Sequence, residues 1–274
     1  RAARMRRAVA AAALALAVST AFAGTPCEEQ VASPELLVRS MQMADLTRTA
    51  LEGIGDEVVL IARVGQDLSA YRLTYSHAAF AVRAHPAGPW SVVHKLNACG
   101  TATSALYDEG LINFFSDAPV RYQAGIWRLA PAVQARLKNA LLGTTARDYH
   151  EPQYSLAAYP FSTRYQNSNG WVLEMLAYAI APEDAVRTRA TAQTWLAANG
   201  YQPTELALGT MTRLGARISK ANIAFDDHPS SLRWKGRIQT VSVESIVTWL
   251  RTRPDGCQGM GCPEQPVVLP PAGL

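Results

Sequence analysis

Histidine and cysteine are scarce in this 274-residue chain, with five of the first and four of the second. No two cysteines stand in a C-x-x-C pair, and no histidine lies near the C-terminal pair Cys257 and Cys262, so a zinc-finger pattern is missing. Beyond residue 23 no apolar run approaches the roughly 20 residues needed to span a bilayer. No internal repeat and no Ser/Gly linker divides the chain, which makes one domain the simplest organisation. The bulk composition of 49% hydrophobic and 18% charged residues, with 18 Gly and 16 Pro, excludes collagen, a long coiled coil and wholesale disorder.

An excess of one charge is also missing once position is considered. The formal charge of +4 comes from 26 basic and 22 acidic residues. Arg1, Arg4, Arg6 and Arg7 all precede an Ala/Leu/Val-rich run from Ala8 to Ala23, which ends Ala21-Phe22-Ala23 before Gly24. A basic segment, a short apolar segment and an A-x-A site are the three parts of a secretory signal peptide. We therefore expect residues 1–23 to be an export signal starting at Met5 and cleaved after Ala23, with a retained anchor as the alternative. The protein would then be periplasmic or secreted. The remaining chain carries 22 basic and 22 acidic residues. No Lys/Arg cluster with interleaved aromatics is read in it, so nucleic acid is not an expected partner. Export makes disulfides available. Cys257 and Cys262 can close a small loop in the tail, which leaves Cys27 and Cys99 as the remaining pair.

The element pattern is mixed. Ser33-Pro34 is an N-cap followed by proline at the first helical position, opening a helix to about Leu51. Strands are expected at Glu57–Val64, Ser76–Val82, Trp90–Leu96 and Val120–Leu129, with a turn containing Pro86, Gly88 and Pro89 joining the second and third. Helices are expected at Leu111–Phe115, Pro131–Leu142, Asn169–Ala181 and Pro182–Ala198, and again at 210–218. A strand near Arg237–Val243 and a helix ending at Leu250 complete the domain. Residues 252–274, with five prolines among Gly and Cys, read as an extended or disordered tail. Asp108-Glu109 reads as the acidic start of the Leu111–Phe115 helix. Antiparallel neighbours on short turns, mixed with helices, give an α+β fold of one domain over 24–251.

Three stretches carry candidate chemistry: Tyr75–Phe80, Val92–Leu96 and Tyr165–Glu174. His77 and His94 fall on adjacent strands of a hairpin, which can set them side by side. Ser168 lies at a helix start, where free backbone N–H groups and the helix dipole favour an anion. Asn167-Ser168-Asn169 is equally a plain capping sequence. Asn167, Asn169, Tyr165 and Trp171 are the neighbouring candidates for substrate contact, with core packing the alternative for the aromatics. Asp226-Asp227-His228-Pro229 offers cation-binding groups, although turn chemistry accounts for it equally well. No metal site and no cofactor is assigned.

The stretches "RVGQDLSAYRLTYSHAAFAVRAHPAGPWSVVHKLNACG", "LYDEGLINFF", "YPFSTRYQNSNGWVLEML" and "LGARISKANIAFDDHP" resemble the secreted bacterial proteins grouped as domain of unknown function 2145. More distantly, the order of His77, His94 and Ser168 is similar to that of the circularly permuted papain-like group, the NlpC-type and lecithin:retinol acyltransferase-like proteins. That resemblance implies a papain-like architecture, Ser168 as nucleophile, His77 as general base and His94 as the orienting residue. It implies action on an amide, ester or thioester, with a small molecule, peptide or lipid of the cell envelope as ligand. The papain-like group uses cysteine where this chain has Ser168. A serine hydroxyl must lose its proton to the base during attack, so a non-catalytic binding module of the same fold is the alternative.

Overall fold

The computed structural model describes residues 33–271 apart from 99, 118, 208 and 210–221. The expected export signal at residues 1–23, the expected Cys27–Cys99 pairing and the helix expected at 210–218 lie outside the described residues.

The first helix, α1 (Pro34–Ile54), begins as its sequence requires: the Ser33 hydroxyl accepts from the Leu36 N–H at 3.1 Å. It ends at Gly55, whose φ of 73° is left-handed and closes the last turn. Strands β1 (Val58–Arg63), β2 (His77–His85), β3 (Gly88–Asn97) and β4 (Ser104–Glu109) follow. Then come α2 (Leu111–Phe115), β5 (Gln123–Arg128), α3 (Pro131–Leu142), α4 (Thr145–Asp148), α5 (Ser168–Ile180), α6 (Arg189–Ala198) and β6 (Thr204–Ala207). The chain closes with α7 (Ser230–Trp234), β7 (Arg237–Thr240), α8 (Val243–Arg251) and β8 (Glu264–Val268).

Six strands form one sheet in the order β4-β3-β2-β1-β5-β8, with every neighbouring pair antiparallel. Strands β6 and β7 make a separate ribbon. The mixed architecture with an antiparallel sheet packed on helices is the expected class. Helices cover both faces of the sheet. Val59, Ile61, Ala79, Ala81 and Val92 pack with Met43 and Leu51 of α1 and Phe114 and Phe115 of α2. Val58, Leu60, Phe80, Val82 and Val93 pack against α3, α5 and α8 through Leu137, Trp171, Leu176 and Trp249. Burial on both faces explains why β1 reads as the unbroken run VVLIA rather than as an alternation. Helix α5 lies so deep that every residue but Tyr178 is buried, as expected of a helix that is apolar nearly all round.

Three expectations are corrected. The tail after residue 252 is not outside the domain: Glu264–Val268 pairs with β5 as an edge strand. Pro266 is compatible with that place because an edge strand has one side with no ladder to donate to. The Cys257–Cys262 disulfide, with Cα atoms 5.3 Å apart, precedes this strand, and Cys257 bridges to Leu129. The helix expected from Pro182 starts at Arg189, because Thr188 and Thr191 form a reciprocal capping box. Finally, Asp108-Glu109 ends strand β4 instead of starting a helix, since Val92 pairs with Glu109 and Val93 with Asp108.

Candidate functional site

The start of β2 is held from two sides. Ser76 Oγ accepts from the backbone N–H groups of Gly65 at 2.8 Å and Gln66 at 3.2 Å. Asn169 Oδ1, in the first turn of α5, accepts from the Ala78 N–H at 2.9 Å. His77 sits between these clamps. Strand alternation then sends Ala78 and Phe80 toward α5, and His77, Ala79 and Ala81 toward α1 and α2. The His77 and His94 rings accordingly meet Phe114, with centroids 6.0 and 5.6 Å away.

The two histidines bond to one another, His77 Nε2 to His94 Nδ1 at 3.0 Å. His94 Nε2 lies 3.1 Å from Glu109 Oε2. Glu109 is held below the usual carboxylate range, first by its hydrogen bond to His94. An ionised carboxylate only accepts, so His94 Nε2 carries the proton facing it. When the His94 imidazole is neutral, its other nitrogen is an acceptor and receives a hydrogen bond from His77 Nε2–H. Proton positions assigned this way leave His77 Nδ1 with its lone pair free. His77 itself is held neutral, its pKa lowered well below the ordinary 6.5 by burial first, then by the charge of Arg63 and by His94.

Arg63 faces His77 across the β1–β2 ladder. Its side chain is 4% exposed, and its Nη2 meets Asp117 Oδ2 at 2.6 Å. Its guanidinium lies over the Phe114 ring at 5.3 Å. Nε and Nη1 are buried with no hydrogen-bond partner. A buried unpaired donor costs about 1–3 kcal/mol, so this cation is poorly satisfied beside a neutral base.

Ser168 is the first residue of α5 and is 8% exposed. Among the described residues no hydrogen bond joins it to His77 or His94, and the helix it starts packs on the opposite face of the sheet from Phe114. Its hydroxyl neighbours the Tyr154 phenol, which burial raises to about 12 and Ser168 draws down. The expected trio is thus brought together as a pair without the serine.

The flanking candidates divide in the same way. Asn167 is the N-cap of α5: its Oδ1 accepts from Gly170 N–H at 2.6 Å, and its amide donates to Thr240 Oγ1 at 2.9 Å. Asn169 ties α5 to β2. Both amides are engaged in the frame. Trp171 is fully buried, and its indole N–H donates to the Ala146 carbonyl at 3.1 Å, so it is core. Tyr165 is half-buried and lines a small cleft, with room for little more than a water, together with Tyr159, Gln166, Asn167 and Arg189.

That cleft adjoins a buried charged network. Lys95 is fully buried and donates to the Glu151 carbonyl at 2.6 Å and to Gln166 Oε1 at 2.7 Å. Burial lowers its pKa to about 7. Glu174 accepts from Gln166, Arg189 and Gln193 at 2.5, 2.8 and 2.8 Å. These bonds pin the 151–166 loop to α5 and α6. Asp227 and His228 are likewise engaged structurally: His228 Nδ1 meets Asp227 Oδ1 at 2.9 Å, and its Nε2 meets the Gln239 carbonyl at 2.9 Å. Among the described residues no three potential metal ligands gather.

A family model described as "Uncharacterized protein conserved in bacteria (DUF2145)" matches residues 50–250. The chain belongs to this family. The DUF2145 match contains His77, His94, Glu109, Arg63 and Ser168 and stops before the disulfide and β8. No curated protein and no solved structure matches the chain.

Glu109 is the functional candidate that sequence reasoning missed. The signal was present: "SALYDE" is a strand that could continue the β2–β3 meander, and its last residue pairs two positions from His94. Arg63 was hidden inside an apolar run, where its charge carried no spacing signal.

Proposed function

We propose that this protein is an exported hydrolase that cleaves an ester, amide or thioester, with His77 as its general base. The single observation behind this is the hydrogen-bonded chain Glu109–His94–His77; with both imidazoles neutral, proton bookkeeping leaves a bare nitrogen at its end. A base that is neutral at pH 7, with an orienting imidazole behind it and a carboxylate behind that, has the polarity required for proton abstraction. Arg63 stands across the strand with two unpaired nitrogen donors, Nε and Nη1, suited to the negative charge that develops on the substrate carbonyl oxygen. Water is the attacking group in this scheme. Ser168 has no hydrogen bond to His77, and proton transfer needs a reach of about 2.6–3.2 Å or one bridging water.

A papain-like ancestry, a periplasmic or secreted location and a ligand drawn from envelope peptides, lipids or small molecules belong to the same proposal. A binding module without catalysis is the second reading. It is favoured by the burial of His77, which is 8% exposed, and by the absence of His77 and His94 from the lining of the small cleft beside Tyr165.

The test is a panel of p-nitrophenyl esters, acyl thioesters and peptide amides given to the chain lacking residues 1–23. Hydrolysis that falls about 10²–10⁴-fold in His77→Ala, persists in Ser168→Ala and drops in Glu109→Gln supports the proposal. Equal loss in Ser168→Ala returns the nucleophile to serine. Absence of turnover across the panel, with no labelling by a fluorophosphonate, leaves the binding module.

A further inference from the structure

The ribbon β6–β7 ends in an unusual projection. Trp234, the last residue of α7, is 88% exposed. The other tryptophans are engaged: Trp90, Trp127, Trp171 and Trp249 are buried, and Trp195 packs edge-on against Trp249 with centroids 6.0 Å apart. Arg233 and Lys235 flank Trp234, are both exposed, and form no ion pair among the described residues. Arg237, the first residue of β7, pairs with Glu205. Gly236 follows with a left-handed φ of 64°, between the end of α7 and the start of β7.

We propose that this tip docks the protein on an anionic lipid surface, with the Trp234 indole in the headgroup region and Arg233 and Lys235 against the lipid charges. Tryptophan is enriched at that depth because its ring is apolar and its N–H polar. Basic residues beside it gain from anionic headgroups by about fivefold in affinity each. A protein partner suits the tip less well. A stable protein interface buries on the order of 1,000 Å² or more around an apolar centre, and Leu232 is the one other apolar side chain of α7, already partly buried. A bilayer supplies the apolar surroundings itself, so one exposed indole between two cations is enough for weak, reversible attachment. This placement is independent of what the His77 site does.

The experiment is co-sedimentation of the chain lacking residues 1–23 with vesicles of phosphatidylcholine alone or mixed equally with phosphatidylglycerol. Tryptophan emission and acrylamide quenching are followed in the same samples. Binding to the anionic vesicles, with a blue shift and loss of quenching, is expected. Arg233→Gln with Lys235→Gln should weaken it about 25-fold, and added salt should do the same in the unsubstituted chain. Trp234→Ala should abolish the spectral change while circular dichroism stays unchanged. Equal binding to both vesicle types, or binding that survives all three substitutions, overturns the proposal. So does quenching at Trp234 that is unchanged by lipid while an added protein or a second copy of the chain protects it.

Discussion

His77 should make folding stability depend on pH in a defined window. Its folded pKa lies well below the unfolded 6.5. Above 6.5 neither state holds the proton, and His77 adds nothing to the pH dependence. Below 6.5 the unfolded chain binds a proton that the native site refuses, so stability falls as pH falls. The slope is about 1.4 kcal/mol per pH unit until the folded pKa is reached. Between about pH 7.5 and about pH 5, the loss for this one group has an upper bound of about 2 kcal/mol, set by the unfolded pKa alone. His150, lowered to about 4 by burial, adds a parallel loss, and Glu109 loses its contribution only at lower pH. Comparison with His77→Gln removes these shared terms. Urea unfolding of both proteins across that range, with equal m-values, should show the unsubstituted chain losing more than the variant, by at most about 2 kcal/mol. Parallel stability curves would refute the claim that His77 is held neutral in the fold.

Other consequences are structural. Gly125→Ala should cost about 1–3 kcal/mol by overpacking, because a Cβ there would lie 2.5 Å from the Trp127 ring and 2.9 Å from Tyr75; thermal unfolding reads it. Arg189→Met should destabilise by about 3–5 kcal/mol, since it leaves Glu174 as a buried charge without its cation; chemical denaturation checks this. Cys257→Ser should cost about 2 kcal/mol by the loop-entropy model for so short a loop. Hydrogen exchange in that variant should rise first at β8.

The parts of this fold that were legible in the sequence are those where local chemistry and tertiary context agree. Ser33-Pro34 marked a true helix start, and Pro86–Pro89 a true hairpin turn, so the meeting of His77 with His94 could be expected. Elsewhere local chemistry misled. Pro182-Glu183-Asp184 imitates a helix start, yet Thr188 is the cap that the chain uses. Five prolines suggested an unstructured tail, but an edge strand tolerates Pro266. Glu109 resembled a helix-dipole residue because a real helix begins two positions later. Only the β3–β4 register shows that it faces His94. For Ser168 the helix start was legible, whereas the face of the sheet on which that helix packs is a property of the whole topology.

The most direct test is the proton arrangement in the Glu109–His94–His77 chain, read from a nitrogen-correlated NMR spectrum of the imidazoles near neutral pH. The account predicts a neutral His77 ring with its proton on Nε2 and Nδ1 bare. A proton on His77 Nδ1, or a charged His77 ring at that pH, would contradict it.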